Sequence, residues 1–116
     1  MTITSPTKIL IIEDDVLIRL MLEDIIEELG HRVVGRYLNL QDGLDHASSD
    51  DLDFALLDFD LGDGTDAIPI AEALTRRGIP FAFTSETSPQ VIRDFLPGAM
   101  IIGKPVTQTE LMRILP

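Results

Sequence analysis

The sequence has no cysteine, few basic residues and no long apolar run, and each absence excludes a class of protein or site. Without cysteine there are no disulfides and no thiolate metal ligands. With 9 basic against 20 acidic residues the net charge is −11, which argues against nucleic acid and anionic membranes as partners. No apolar run reaches membrane-spanning length, and the N-terminal MTITSPTK lacks the charged and apolar regions of a signal peptide. We therefore expect a cytoplasmic protein.

The chain does have enough apolar residues for one core. Its 116 residues are 45% hydrophobic, which favours a compact fold over disorder, and the length is near the commonest domain size. No repeat, low-complexity segment or linker divides the sequence. We expect a single domain over residues 1–116, with no output domain.

Short apolar runs alternate with segments of helical periodicity along the whole chain. Ile9–Ile12 is unbroken apolar, as in a strand buried on both faces. In Asp15–Leu29 the apolar residues recur at helical spacing, with Glu23, Glu27 and Glu28 on the opposite face. The same alternation predicts further strands at Arg32–Tyr37, Asp53–Asp58, Pro80–Ser85 and Ala99–Gly103, and further helices at Leu40–Ser48, Asp66–Arg77, Ser88–Phe95 and Thr107–Leu115. Five strand–helix units predict an α/β fold with a doubly wound parallel sheet.

Polar side chains cluster where the predicted strands end, which is the edge at which α/β sheets bind ligands. Glu13 and Asp14 follow the first strand, and Asp58 ends the third. The other strand ends contribute further polar residues: Asp60, Thr84, Ser85, Glu86 and Lys104. Singly, such residues are typical of helix caps, turns and solvated surfaces. Together at one edge of a sheet they indicate a site.

Residues of these types at one sheet edge would suit phosphoryl transfer with a divalent metal. Glu13, Asp14 and Asp58 form an oxygen-only set suited to Mg²⁺, whose charge would offset the repulsion among carboxylates placed beside apolar strands. A carboxylate can also be the nucleophile towards phosphorus. Lys104 and the Ser85 hydroxyl suit the neutralisation and positioning of phosphoryl oxygens.

Four segments, ILIIEDD, FALLDFDLGDG, IPFAFTS and IIGKP, resemble the signature segments of the receiver domain of two-component response regulators. They occur in the same order, and the resemblance covers nearly the whole chain. It implies a flavodoxin-like (βα)5 fold with strand order 2-1-3-4-5. It also implies that Asp58 accepts a phosphoryl group from a sensor histidine kinase or phosphotransfer protein, and that a downstream protein partner reads a changed contact face. Such a domain is a signalling module and not an enzyme, with at most slow self-dephosphorylation.

The resemblance also assigns the rest of the site. It implies a Mg²⁺ site whose ligands are Glu13, Asp14, Asp58 and the backbone carbonyl of Asp60. It implies a phosphate-binding lysine, Lys104, which is joined to Pro105 by a cis peptide. The family's usual spacing selects Ser85 as the switch hydroxyl, with Thr84 as the alternative.

Three positions depart from the family's usual pattern. Glu86 places a carboxylate directly after the switch hydroxyl, where the family usually has a small residue. Ile101 stands where an aromatic side chain commonly reports phosphorylation, so we expect the signal to leave the site through Ser85 and Glu86 instead. Gly62 replaces a proline common after the acceptor strand. The missing aromatic and the GIPF strand resemble single-domain regulators of alphaproteobacterial stress signalling, although the Thr-Gly-Tyr segment of that subgroup is Ser85-Glu86-Thr87 here.

Two alternatives stay open at this point. A degenerate receiver could act as a binding module alone, a reading that Glu86 and Ile101 favour. A haloacid-dehalogenase-type phosphatase would also use the segment LLDFD, with a nucleophile at Asp58 and an acid/base at Asp60. That family needs an acidic pair after its lysine, whereas the acidic pair of this chain comes before every other motif, so the receiver interpretation is preferred.

Overall fold

The computed structural model describes residues 6–62, 64–86 and 88–116, so Thr87, which enters the subgroup comparison, lies outside the described residues. The helices are α1 (Val16–Glu28), α2 (Leu40–Ser49), α3 (Ile68–Arg77), α4 (Pro89–Phe95) and α5 (Gln108–Ile114). The strands are β1 (Lys8–Ile12), β2 (Arg32–Tyr37), β3 (Phe54–Asp58), β4 (Asp60–Gly62), β5 (Thr65–Asp66), β6 (Phe81–Ser85) and β7 (Ile101–Gly103).

Five of these strands form one parallel sheet in the order β2-β1-β3-β6-β7. β1 lies between β2 and β3, and β6 lies between β3 and β7. If only the strands of this sheet are numbered in chain order, β6 is the fourth and β7 the fifth, and the order is 2-1-3-4-5. The predicted topology is therefore confirmed. Because all five strands are parallel, their carboxyl ends lie along one edge. Asp58 and Ser85 end β3 and β6, and Glu13, Asp14 and Lys104 follow β1 and β7 at this edge.

Both faces of the sheet are covered by helices, which explains the unbroken apolar runs. Leu10 and Ile12 of β1 point into the apolar cluster that includes side chains of α2 and α3. Ile9 and Ile11 point into the cluster that includes side chains of α1 and α5. β3 is buried at all five positions, including its last residue, Asp58. Alternate residues of one strand therefore supply two separate cores.

A two-stranded hairpin, β4–β5, follows β3 and corrects one predicted boundary. Asp60 pairs antiparallel with Asp66, so Asp66 lies in a strand and is not the first residue of the helix. Gly62 and Gly64 supply backbone with φ of 82° and 74°, a left-handed conformation that side chains other than glycine rarely adopt. α3 begins at Ile68, whose N–H donates to Asp66 Oδ1 at 2.9 Å.

Glu23 of α1 is not on the exposed face that its spacing predicts. It is 8% exposed, and its carboxylate forms ion pairs with Arg36 of β2 and with Arg19, whose Nε lies 3.8 Å from Oε2. A buried charge persists where such partners compensate it. Glu27 and Glu28 are exposed, as the helical spacing predicts.

The C-terminal end of α2 is held by a side chain of α3. The Arg77 guanidinium donates to the carbonyl oxygens of Ala47 at 2.7 Å and Asp50 at 2.6 Å. These are carbonyls that the helix itself leaves without a partner at its end. In the described part of the chain, no helix has both the length and the apolar content to cross a membrane.

Candidate functional site

The carboxyl edge of the sheet brings three carboxyl groups together. Glu13 follows β1, and its N–H donates to the carbonyl of Tyr37 at the end of β2 at 3.1 Å. Asp58 ends β3 in register with Thr84 of β6. One oxygen atom from each of Glu13, Asp14 and Asp58 lies within 4.8 Å of the others. Glu13 is 1% exposed and Asp58 5%, whereas Asp14 is exposed to solvent.

Lys104, the residue after β7, supplies a cation to this cluster. Its Nζ lies 2.9 Å from Glu13 Oε1 and 3.2 Å from Asp58 Oδ2. Its backbone N–H donates to the carbonyl of Ser85 at 2.9 Å, which extends the pairing of β6 with β7 by one residue. The peptide between Lys104 and Pro105 is cis.

The carboxyl groups perturb one another strongly. Burial, together with the Glu13 and Asp14 carboxyl groups, raises the pKa of Asp58 to about 9, so in the absence of a metal Asp58 holds a proton at neutral pH. Burial alone would raise the pKa of Asp14, but its hydrogen bonds with Asp58 and Glu13 outweigh burial and lower the pKa. Burial alone would lower the pKa of Lys104, but close contact with Glu13 and Asp58 raises it.

The carboxylate oxygens of Glu13, Asp14 and Asp58 are suitable ligands for a magnesium ion. Glu13 Oε1 is buried and, apart from the ion pair with Lys104, has no hydrogen-bond partner in the described part of the chain. Asp14 places an exposed carboxylate beside it, open to water. Mg²⁺ prefers oxygen ligands, binds few protein groups and keeps several waters. A divalent cation among Glu13, Asp14 and Asp58 would also favour the ionised form of Asp58.

A cavity of about 320 Å³ opens directly over the carboxyl groups. Asp14 and Asp58 line it together with Ser85, Glu86 and Lys104. The structure thus brings the predicted nucleophile, hydroxyl and lysine into one space, with Glu86 at its exposed side.

Other predicted residues differ in how closely they approach this cavity. Asp60 lines it, and its N–H donates to Asp58 Oδ1 at 3.3 Å; coordination by the Asp60 carbonyl stays a prediction. Thr84 is buried and is not among the lining residues, so Ser85 is the better placed hydroxyl. Ile101 is half-buried and packs against the apolar cluster between the sheet and α2 and α3, away from the cavity.

Ile18 also lines this cavity, although its place in the sequence does not mark it as a site residue. Its helical spacing indicates a core position. The available signal is its place in the first turn of α1, where the N–H groups of Leu17 and Ile18 donate to the capping carboxylate of Asp15 at 2.9 and 3.1 Å. Because α1 starts at the carboxyl edge of the sheet, Ile18, three residues after the Asp15 cap, lies beside the cavity.

Comparison with solved structures supports the same assignment. The solution structure of SdrG from Sphingomonas melonis Fr1 is 33% identical, with a TM-score of 0.83 over 96% of this chain and 94% of that chain. The response regulator PhyR from Brucella abortus is 28% identical, with a TM-score of 0.77 over 90% of this chain and 44% of that chain. The REC domain of the PhyR response regulator from Erythrobacter litoralis shares the fold, with a TM-score of 0.81 and 24% identity over 93% of this chain and 85% of that chain. These relatives are alphaproteobacterial, as the predicted resemblance implies.

No curated protein sequence matches the chain. The family model for the response regulator receiver domain matches residues 9–115, which does not favour the phosphatase alternative. The match spans every segment on which the resemblance rests, from the first strand to the last helix. The chain belongs to the response regulator receiver domain family.

Proposed function

We propose that Asp58 accepts a phosphoryl group from the phosphohistidine of a sensor histidine kinase or phosphotransfer protein, in the cytoplasm and with Mg²⁺. The phosphorylated domain then changes a contact face that a downstream protein reads. The observation that supports this most directly is the position of Lys104, whose ammonium lies 3.2 Å from Asp58 Oδ2 and 2.9 Å from Glu13 Oε1. Asp58, Lys104 and Ser85 also line one cavity.

In the transfer step, a carboxylate oxygen of Asp58 forms a bond to phosphorus as the bond between phosphorus and the imidazole nitrogen breaks. The nitrogen keeps the electron pair, and a ring protonated at its other nitrogen leaves as neutral imidazole. Asp58 must be ionised to attack. Lys104 neutralises a phosphoryl oxygen, and the Ser85 hydroxyl donates to another.

The Mg²⁺ ligands in this proposal are Glu13, Asp14, Asp58 and the backbone carbonyl of Asp60. When bound, the metal supplies positive charge for the phosphoryl oxygens. The chain's own contribution is to hold two buried carboxyl groups and one exposed carboxylate within 4.8 Å. The alternative of a binding module alone is not favoured, and it would leave Asp58 unmodified.

Mass spectrometry after incubation with Mg²⁺ and acetyl phosphate tests the proposal. We expect one added phosphoryl group on the wild-type chain, none on Asp58→Asn, and none when the metal is chelated. Asp60→Asn is the matched control, because that residue is proposed to act through its backbone carbonyl and should still be labelled. Full labelling of Asp58→Asn would show that the acceptor is another residue.

A further inference from the structure

Glu86 stands at the entrance to the phosphorylation site. It follows Ser85, the last residue of β6, and is exposed while lining the same cavity as Asp58. The Lys104 N–H donates to the Ser85 carbonyl at 2.9 Å, so the backbone fixes Glu86 beside the lysine that follows β7. A donor molecule that binds over Asp58 therefore occupies a cavity that Glu86 also lines.

Glu86 adds an exposed negative charge to this entrance. In the ranges 6–62, 64–86 and 88–116, no lysine or arginine forms an ion pair with it. Lys104 lines the same cavity as Glu86, but its ammonium is turned inward to Glu13 and Asp58. The exposed side of the cavity carries further carboxylates, Asp14 and Asp60. An arriving anion meets this negative charge before it meets Lys104.

We propose that Glu86 selects among phosphodonors by charge, disfavouring small donors in proportion to their negative charge. The inference rests on the proposed function, since it concerns access to Asp58. In a cleft, like charges a few ångströms from the path of a ligand reduce its local concentration and its association rate. Donors that carry less negative charge, or that bring positive charge with the phosphorylated group, enter against a smaller barrier.

Two small donors separate charge from other effects. Acetyl phosphate is a dianion near neutral pH, and phosphoramidate is a zwitterion with one net negative charge. Both give the same aspartyl phosphate: the bond from phosphorus to the acetyl oxygen breaks and acetate leaves, or the bond to nitrogen breaks and ammonia leaves. Coulomb energy is proportional to the donor's charge. When the charge of Glu86 is removed, the factor by which labelling accelerates with the dianion should therefore be the square of the factor with the monoanion.

The experiment compares labelling rates of wild type, Glu86→Gln and Glu28→Gln at saturating Mg²⁺ and low ionic strength. We expect Glu86→Gln to accelerate labelling about threefold with phosphoramidate and about tenfold with acetyl phosphate. High salt should reduce both gains, because it screens exposed charges. Glu28→Gln is the matched control: it removes the same charge from an exposed position at the far end of α1 and should leave both rates unchanged.

The outcomes are distinguishable. Equal acceleration with both donors, or none, overturns charge selection while leaving Asp58 as the acceptor. The same gain in Glu28→Gln would assign the effect to net charge and would also overturn it. A wild-type chain that neither donor labels overturns the proposed function, and this inference with it. Glu86→Ala should behave as Glu86→Gln does if charge decides, whereas a gain confined to the smaller side chain would assign the effect to size and contradict the proposal.

Discussion

The ammonium of Lys104 lies 3.2 Å from Asp58 Oδ2, although β6 lies between the strand that Asp58 ends and the strand that Lys104 follows. The lysine therefore reaches across the end of β6 to the buried carboxyl group. Its side chain is 12% exposed and that of Asp58 6%, so water screens the pair less than it would a surface ion pair. In the absence of a metal, Lys104 supplies positive charge beside Glu13, while Asp58 is protonated at neutral pH.

Lys104→Met should therefore destabilise the metal-free domain. Removing the ammonium leaves the buried Glu13 carboxylate without its cation, and we expect the free energy of unfolding to fall by about 1–3 kcal/mol, less than for two ionised carboxylates because Asp58 is already protonated. Mg²⁺ should restore part of the loss. Urea denaturation in chelator and in Mg²⁺ measures both effects.

Lys8→Met is the control for this substitution. Lys8 also forms an ion pair with an aspartate, Asp51, but that aspartate's side chain is 83% exposed. Such pairs contribute little, so the change should stay within about 0.5 kcal/mol. A similar loss in both variants would mean that Lys104 acts through general charge balance and not through the site.

The stability of the metal-free domain should fall as pH rises from about 4 to about 9. Asp58 has its ordinary pKa of 3.8 when unfolded and a pKa of about 9 when folded, so the folded state binds more protons across this window and loses that advantage as pH increases. Asp14 has the opposite sign, because its pKa is lowered, but its effect lies at acidic pH. Urea denaturation in chelator measures the free energy of unfolding of wild type and of Asp58→Asn. The loss of stability in wild type relative to Asp58→Asn should be largest at pH 9.

Magnesium should flatten this dependence, because the bound cation favours the ionised form of Asp58 and offsets the repulsion. If, with chelator present, the free energy of unfolding of wild type changes with pH in parallel with that of Asp58→Asn, the raised pKa of Asp58 would be contradicted.

The positions of the five main strands were predictable because they depend on local composition. Ile9–Ile12 and the segment ending at Asp58 are apolar runs that have to be buried on both faces, and that pattern does not depend on distant residues. The hairpin β4–β5 was not predictable in the same way. Its strands have three and two residues, too few to show a period, and they depend on the pairing of Asp60 with Asp66.

The site was predictable in composition but not in detail. Acidic and basic residues at strand ends are visible in the sequence, and the parallel topology brings them to one edge. The burial of Glu23 was not predictable from helical spacing, because it depends on Arg36 of a different element. The choice between Thr84 and Ser85 likewise depends on which side chain faces the cavity, and that follows from the exact end of β6.

Arg77→Ala should lower the free energy of unfolding by about 1–2 kcal/mol. The guanidinium donates to two carbonyl oxygens at the end of α2, and hydrogen bonds from charged donors are stronger than neutral ones, although this side chain is exposed. Arg76→Ala is the matched control at the neighbouring helical position, and its effect should stay within about 0.5 kcal/mol. Urea denaturation measures both effects. Equal losses of unfolding free energy in the two variants would mean that the positive charge at the end of α3, and not the two hydrogen bonds, is responsible.

A phosphoryl group at Asp58 should alter the surface through α4. α4 is weakly held: Ile92 is its one fully buried residue, while Val91 is 46% and Phe95 66% exposed. Its N-cap, Ser88, makes no capping hydrogen bond through its side chain. Segments with so few buried contacts have low local stability, and switching elements are drawn from them. Ile101 has no polar group that could exchange partners, and its β-branch restricts χ1.

We therefore expect the signal to pass from Ser85 and Glu86 into α4. With Mg²⁺ and beryllofluoride, a mimic of the phosphoryl group, the Ser85 hydroxyl should move towards the anion and the Glu86 carboxylate away from it. Amide hydrogen exchange over residues 88–95 should then change, while α3 stays unaffected because it packs on the sheet through several buried residues. If the hydroxyl drives the change in hydrogen exchange, Ser85→Ala should reduce it. If repulsion between the Glu86 carboxylate and the anion drives it, Glu86→Gln should reduce it. Changes confined to residues 59–66, with 88–95 unaltered, would show that the signal does not travel through α4.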